Sequence, residues 1–317
     1  MKHLFTAAVT VALMAGAADA RELTFGMQDN EVSNVYKGAQ AFAAELEKIS
    51  GGELTVNLFP SSALGDFKAM VAQVQAGELD MVMTGYPDMS YVIPELKLVG
   101  APYVVDSFDH LQSIIGNEWG QSIAAKMEEQ NIHLLDVWYY GTRQTTSNRA
   151  INALEDMQGL RLRTPNVPFL IAYAENTGAT PAPVAFAEVY LALQTNQVDA
   201  EENPLPTIDA MKFYEVQSHI AMTNHFIASA ALQIGTSTWN SLSDEEKGWV
   251  QAAIEAGGDV SDGLTVEAEA GLVATFKERG LTITYPDTAP FRAAMQPYYA
   301  ELEAEFGEGA IAKVRGE

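Results

Sequence analysis

Gly159-Leu160-Arg161-Leu162-Arg163-Thr164-Pro165-Asn166, then Phe186-Ala-Glu-Val-Tyr-Leu-Ala-Leu-Gln194, then Val198-Asp-Ala-Glu-Glu-Asn-Pro204 form the stretch on which the fold turns. Leu160 to Thr164 alternates as a short strand until Pro165 breaks it. Val167 to Thr177 reads as a helix, Thr180 to Val184 as a strand, Phe186 to Gln194 as a helix and Val198 to Asn203 as a strand. Strand, helix, strand, helix, strand predicts a parallel sheet with helices on both faces. Arg163 falls at the carboxyl end of its strand, where open α/β sheets bind ligands. A guanidinium fixed there suits a planar two-pronged anion, because its fork matches a carboxylate. The alternative for Arg163 is a surface ion pair.

The same order occurs near the amino end. Leu23 to Met27 is a strand, and Asn34 to Ser50 has apolar residues at helical spacing up to Gly51-Gly52. Leu54, Val56 and Leu58 alternate up to Pro60, Asp66 to Ala76 is a helix, and Leu79 to Thr84 is a third strand. The corners correspond: Gln75-Ala-Gly-Glu-Leu-Asp80 against Gln194-Thr-Asn-Gln-Val-Asp199. Two similar lobes follow; a duplication and common α/β grammar would both produce them. Ser107 to Gln130 reads as helical, and Ile132 to Trp138 as a strand leading to Gly141. Ser243-Asp-Glu-Glu246 has the form of a capping box. The helix it opens is interrupted at Gly257-Gly258, resumes through Phe276 and stops at Gly280. No Pro/Ser-rich linker separates the lobes, which points to a hinge of several chain crossings.

Several of these pieces resemble the signature of the substrate-binding proteins of tripartite ATP-independent periplasmic (TRAP) transporters. They are Arg163-Thr-Pro-Asn, Phe186-x-Glu188-x-Tyr190-x-Ala192-Leu193-Gln194 and Val198-Asp199-x-x-Glu202-Asn203-Pro204. Leu64-Gly65, Gly141-Thr-Arg143-Gln144 with Asn148, and Thr223-Asn224-His225 match in order, so the likeness covers nearly all the mature chain. It implies an α/β, two-lobe periplasmic binding protein of type II-like, Venus-flytrap form, with a hinge and a long, bent, domain-crossing helix. The expected lobes are 21–140 plus about 229–268, and 141–228 plus about 269–317. It also implies a receptor, not an enzyme, that hands a small organic acid to the membrane subunits of the transporter.

The resemblance makes Arg163 the carboxylate clamp and Arg143 a second arginine lining the same cleft; for Arg143 the alternative is an ion pair across the hinge. Asn203 matches an asparagine that hydrogen-bonds the same carboxylate, with an Asn-Pro turn as its alternative. Phe186 matches an aromatic that packs on the ligand, though an aromatic there also suits the core. Glu188 and Tyr190 read as structural. His225 reads first as a hydrogen-bonded residue of a lobe-linking strand and second as a ligand contact. The family often has glutamine where Glu201 stands. Glu201 shares a strand face with Asn203, so it would repel an acid unless it accepts ligand hydroxyls or a cation, which favours a hydroxylated or sugar acid over a bare C4-dicarboxylate. The family usually has glycine where Asn196 stands, and asparagine also tolerates a left-handed turn. From the first lobe, Gln28, Asp29, Asn30 and Glu31 follow the first strand and Thr84, Gly85 and Tyr86 the third; both loops should face the cleft.

The bulk numbers agree. The 317 residues are 48% hydrophobic and 19% charged, enough apolar material for two compact lobes. A formal net charge of −24 argues against nucleic acid and anionic membranes as partners. Any anion site must therefore depend on local arginines. Cysteine is absent, which removes disulfides, thiol catalysis and thiolate metal sites. There is no phosphate loop, nucleophile elbow, zincin motif or dinucleotide fingerprint, and the five histidines are not at ligand spacing. No catalytic residue, metal or cofactor is expected. Lys2 and His3, the apolar run Leu4 to Ala17 and Ala18-Asp19-Ala20 have the form of a signal peptide cleaved after Ala20. A membrane anchor is the alternative, but the run falls short of the ~20 residues a spanning helix needs. The expected product is an exported periplasmic monomer. The rivals are an exported α/β enzyme acting on a sugar acid and a receptor for an ATP-driven transporter. Uronates, aldonates, dicarboxylates, keto acids, aromatic acids and zwitterions all remain open as solutes.

Overall fold

The structure, a computed structural model, describes residues 20–316; of the signal peptide read above, all but Ala20 lies outside them. Among the described residues nine strands form one sheet: β1 (Arg21–Gly26), β2 (Leu54–Phe59), β3 (Met81–Thr84), β4 (Ile132–Ser147), β5 (Arg161–Thr164), β6 (Thr180–Pro183), β7 (Ala200–Pro204), β8 (His219–Gly235) and β9 (Thr282–Thr284). The order is β2-β1-β3-β8-β4-β7-β5-β6, with β9 beside β8. Parallel pairing holds within each half: β1 lies between β2 and β3, and β5 between β6 and β7. The sheet as a whole is mixed, because β4 and β8 pair antiparallel with each other and with the flanking halves.

The two halves therefore have the same strand order, and the resemblance extends to their corners. Gly77 and Asn196 both take left-handed backbone, φ 77° and 57°. Three residues on, Asp80 Oδ2 accepts the Thr24 N–H of β1 at 2.9 Å, and Asp199 Oδ2 accepts the Arg161 N–H of β5 at 3.0 Å. Each carboxylate ties the third strand of its half to the first.

Helix Asn34–Ile49 is capped by Ser33, whose side chain accepts the Tyr36 N–H, and helix Phe67–Ala76 by Asp66, which accepts from Ala69. The helical stretch read from Ser107 to Gln130 is two helices, Phe108–Gly116 and Glu118–Glu129, because Asn117 ends one and caps the other. Strand β4 does not end at Gly141. It continues through it to Ser147, with register shifts on either side. Gly141 has φ 118°, and a Cβ there would lie 2.7 Å from the Pro204 Cβ, so only glycine fits the crossing.

Helix Asp244–Glu278 runs unbroken for 35 residues behind the Ser243–Glu246 capping box. Gly257 and Gly258 do not interrupt it. They bring it close to its neighbours: a Cβ on Gly257 would lie 2.8 Å from the Gly38 carbonyl, and one on Gly258 2.8 Å from Trp138 Nε1. Val250, Ala253 and Ile254 of this helix pack with Phe25, Phe42 and Leu46, whereas Phe276 packs with Leu193 and Phe213. The helix thus joins two cores, one in each lobe. Between them, Asp262 Oδ1 accepts the Tyr139 N–H, and Glu269 accepts the Thr142 N–H, each at 2.7 Å. These are backbone groups of β4 on either side of its Gly141 bulge.

The segment around Tyr103, placed by sequence with the first lobe, lies against β8: Tyr103 N–H donates to the His225 carbonyl at 3.0 Å. The carboxyl-terminal helices, which the sequence reading left undivided, close over it. Arg292 and Arg315 donate to the Tyr103 and Val104 carbonyls at 2.8 and 2.7 Å. Among the described residues no helix is long and apolar enough to cross a membrane.

Candidate functional site

A cavity of about 280 Å³ opens where the carboxyl ends of β1, β3, β5 and β7 face one another. Of the residues expected from sequence, Gln28, Asp29, Thr84, Gly85, Arg143, Arg163, Phe186 and Asn203 line it.

Arg163 ends β5 with only 2% of its surface exposed. Its Nε and Nη2 donate to the Val184 carbonyl at 3.0 and 2.8 Å, which fixes the plane of the fork. It forms no ion pair among the described residues. Burial pushes its pKa down to about 10, since charges opposed to that shift, chiefly Glu202, do not fully offset desolvation. The guanidinium stays protonated at neutral pH, but as a dehydrated cation without a counter-ion. The Phe186 ring centroid lies 6.0 Å from its Cζ, half-buried at the cavity wall.

Arg143 is different. It reaches the cavity from β4, but its Nε and Nη2 are engaged by the buried Glu202 carboxylate, with Nη2 to Oε1 at 2.8 Å. The ion-pair alternative is thus realised alongside the cavity position, which leaves Nη1 for a ligand. Burial alone would raise the Glu202 pKa; Arg143 and then His225 overcome this and hold it below the usual carboxylate range.

Five expected residues do not border the cavity: Asn30 and Glu31 of the first loop, and His225, Glu201 and Tyr86. His225 is fully buried behind Glu202, 3.0 Å from Nε2 to Oε2, with Tyr173 stacked on it at 4.1 Å. Burial depresses its pKa, with the Glu202 bond opposing. The neutral ring therefore donates from Nε2 to the carboxylate and accepts at Nδ1 from Thr223 Oγ1, 2.9 Å away. Glu201 is also fully buried. It shares a face with Asn203, as alternation requires, but lies beneath it: Asn203 Nδ2 donates to Glu201 Oε2 at 2.6 Å, and Thr146 Oγ1 to Oε1 at 3.1 Å. The carboxylate expected to meet ligand hydroxyls is instead covered by the asparagine. Tyr86 is fully buried in an apolar cluster that includes Met70, Phe169 and Phe226, immediately before the 3₁₀ turn that Pro87 opens.

That turn delivers Asp88 to the cavity instead. Asp88 and Asp29 are both half-buried, and burial raises each to about 6. Asp29 accepts the Tyr140 hydroxyl at 2.6 Å. Ser229 of β8 adds a buried hydroxyl with no partner among the described residues. Asp88 and Ser229 were not singled out from sequence, and Glu202 stood there only as part of a matched motif, without a role. Ser229 and Glu202 lie in strands buried on both faces, where no alternation marks the side that faces the cleft. Among the described residues no group of His, Asp or Glu side chains is placed to hold a metal ion.

Comparison with known proteins agrees with this geometry. Residues 25–305 match the bacterial extracellular solute-binding proteins, family 7, and the chain belongs to that family. It is 44% identical to the sialic acid-binding periplasmic protein SiaP of Vibrio cholerae serotype O1, over 97% of this chain and 96% of that one. A TRAP periplasmic solute-binding protein from Polaromonas sp. JS666, solved with D-erythronate, superposes with a TM-score of 0.87 at 30% identity, covering 93% and 98% of the two chains. One from Sulfitobacter sp. NAS-14.1, solved with β-D-galacturonate, gives 0.87 at 26% identity over 93% and 98%. The chain is a TRAP solute receptor with the two-lobe fold, not an enzyme acting on its ligand.

Proposed function

We propose that this receptor captures a hydroxylated organic acid of the sugar-acid kind, whose carboxylate docks on Arg163 with Arg143 Nη1 and Asn203 beside it. Arg163 is the observation that supports this most: a buried, uncompensated cation fixed at the wall of a cavity of about 280 Å³. A charge-assisted hydrogen bond contributes about 1.5–3 kcal/mol, whereas micromolar binding needs about 8 kcal/mol. The rest must come from other polar groups such as Ser229, and from packing on Phe186. The D-erythronate and β-D-galacturonate of the related structures are acids of this type.

The lobes are 21–140 with about 229–268, and 141–228 with about 269–317, except that the segment around Tyr103 crosses to the second. They close on the acid by a two-state shift stabilised only by contacts of the closed form. The closed monomer, exported to the periplasm after cleavage at Ala20, is what the TRAP membrane subunits recognise, without ATP. Thermal melts with a panel of sugar acids test the clamp. A ligand at 100 times its Kd should stabilise by about 2.7 kcal/mol, and Arg163→Ala should abolish that gain. An unchanged gain in the variant would show that Arg163 is not the clamp.

A further inference from the structure

The cavity is electrically lopsided. At the second-lobe wall Arg143 is neutralised by Glu202, so Arg163 is the guanidinium there without a counter-ion. Asp66, exposed, and Lys68, half-buried, also line the cavity; the Lys68 ammonium lies 5.4 Å from the Tyr91 ring centroid and forms no ion pair among the described residues. The first-lobe wall presents Asp29, already bonded to Tyr140, and Asp88, which forms no ion pair and no hydrogen bond to another side chain among the described residues. The Asp88 carboxylate is held by the Gly85 backbone N–H. It lies so close over that glycine that a Cβ at 85 would sit 2.6 Å from Oδ2. Glycine at 85 is thus what lets the carboxylate settle there. Asp88 feels both Arg143 and Arg163 through space, yet is within ion-pair distance of neither. No counter-ion lies within ion-pair distance of it among the described residues.

A ligand carboxylate cancels Arg163 and leaves Asp88 facing the other end of the molecule. If that end is a second carboxylate, two anions meet as water is expelled, which is costly. A hydroxyl donates a neutral hydrogen bond. An ammonium donates and also cancels the charge, and charge-assisted bonds are roughly twice as strong as neutral ones. We infer that this receptor's solute is a hydroxylated acid bearing a protonated amine on the end remote from its carboxylate, an amino-sugar acid, and that Asp88 is the residue that selects it. The inference rests on the Arg163 reading and narrows it.

The test is a matched six-carbon series that differs only at carbon 6: 6-amino-6-deoxy-gluconate, gluconate and glucarate, with the galacto series alongside. Calorimetric titration at pH 7.5 compares the wild-type protein with Asp88→Asn and Arg163→Ala. In the better-fitting series the amine should bind about tenfold tighter than the alcohol, and the diacid weakest. Asp88→Asn, a neutral isostere, should erase the amine's advantage and improve the diacid. If the alcohol equals or exceeds the amine, or if Asp88→Asn preserves the advantage, the inference is overturned; loss of gluconate binding in Arg163→Ala would then leave the clamp standing. If no member binds, or if binding survives Arg163→Ala, the sugar-acid clamp falls and this inference with it.

Discussion

Glu201 and Glu202 adjoin in sequence and are both fully buried, yet they ionise oppositely. Burial raises Glu201 to about 7, with the Asn203 bond opposing. The unfolded chain loses this proton near 4.5, so between about 4.5 and 7 the folded state holds a proton that the unfolded state has released. Glu201's contribution to stability is therefore complete below that window and is lost as pH rises through it. Glu201→Gln should match the wild type at pH 4.5 and exceed it by about 1–3 kcal/mol at pH 8, read from denaturant melts at both pH values. A constant difference would mean that Glu201 is not the titrating group. Glu202→Gln should do the reverse. It strips the counter-charge from buried Arg143, and breaking such a pair costs about 3–5 kcal/mol. A loss below 1 kcal/mol by the same melts would contradict this. Arg163 was legible because a cation at a strand end in α/β grammar has few uses, and Arg143 through its match to the family pattern. The partner of Arg143 was not, since Glu202 looks the same in sequence whether it faces solvent, ligand or Arg143.

At the scale of elements, the long helix holds glycines with opposite demands. Gly257 lies against Gly38 and Trp138 with no room for a side chain, whereas Gly263 has nothing within 4 Å of its missing Cβ. Gly257→Val should destabilise by about 1–3 kcal/mol through overpacking, and Gly263→Ala should stabilise by about 0.5–1 kcal/mol through helix propensity. Chemical denaturation of the two variants checks both signs, and equal effects would refute the close-contact account. This is also where the sequence reading stopped short. Segments with one wet face, such as Asn34–Ile49 and β1, betray their period. Strand β8 is buried on nearly every residue and mixes Thr223, His225, Ser229 and Gln233 among apolar neighbours, so it has no period to read. Gly257-Gly258 looked like an interruption because glycine marks breaks and close contacts alike, and only the facing surface distinguishes them. Tyr86 was misplaced for a similar reason: the end of β3 was legible, but the packing of the residue just before the Pro87 turn was not.

At the scale of the whole molecule, a site for acids sits in a chain of net charge −24. The short-range pull of Arg163 and the long-range field have opposite signs. An approaching anion meets the field first, and only inside the cleft does the guanidinium dominate. Salt damps the first far more than the second, because charges beyond about 10 Å are screened at 0.1 M, while a buried contact is not. Added salt should therefore speed the association of a monoanion, opposite to the usual steering of ligands by complementary charge. Stopped-flow measurements between about 10 and 300 mM salt should show the association rate constant of gluconate rising severalfold, that of glucarate rising more steeply, and that of the 6-amino acid, with no net charge, nearly flat. Dissociation should change little for all three, since it is governed by contacts within the closed cleft. An association rate for gluconate that falls with salt would mean that the arginine wall, not the acidic exterior, sets the field along the entry path. A flat response for all three acids would place the rate-limiting step in lobe closure, after the ligand has already passed the outer charge.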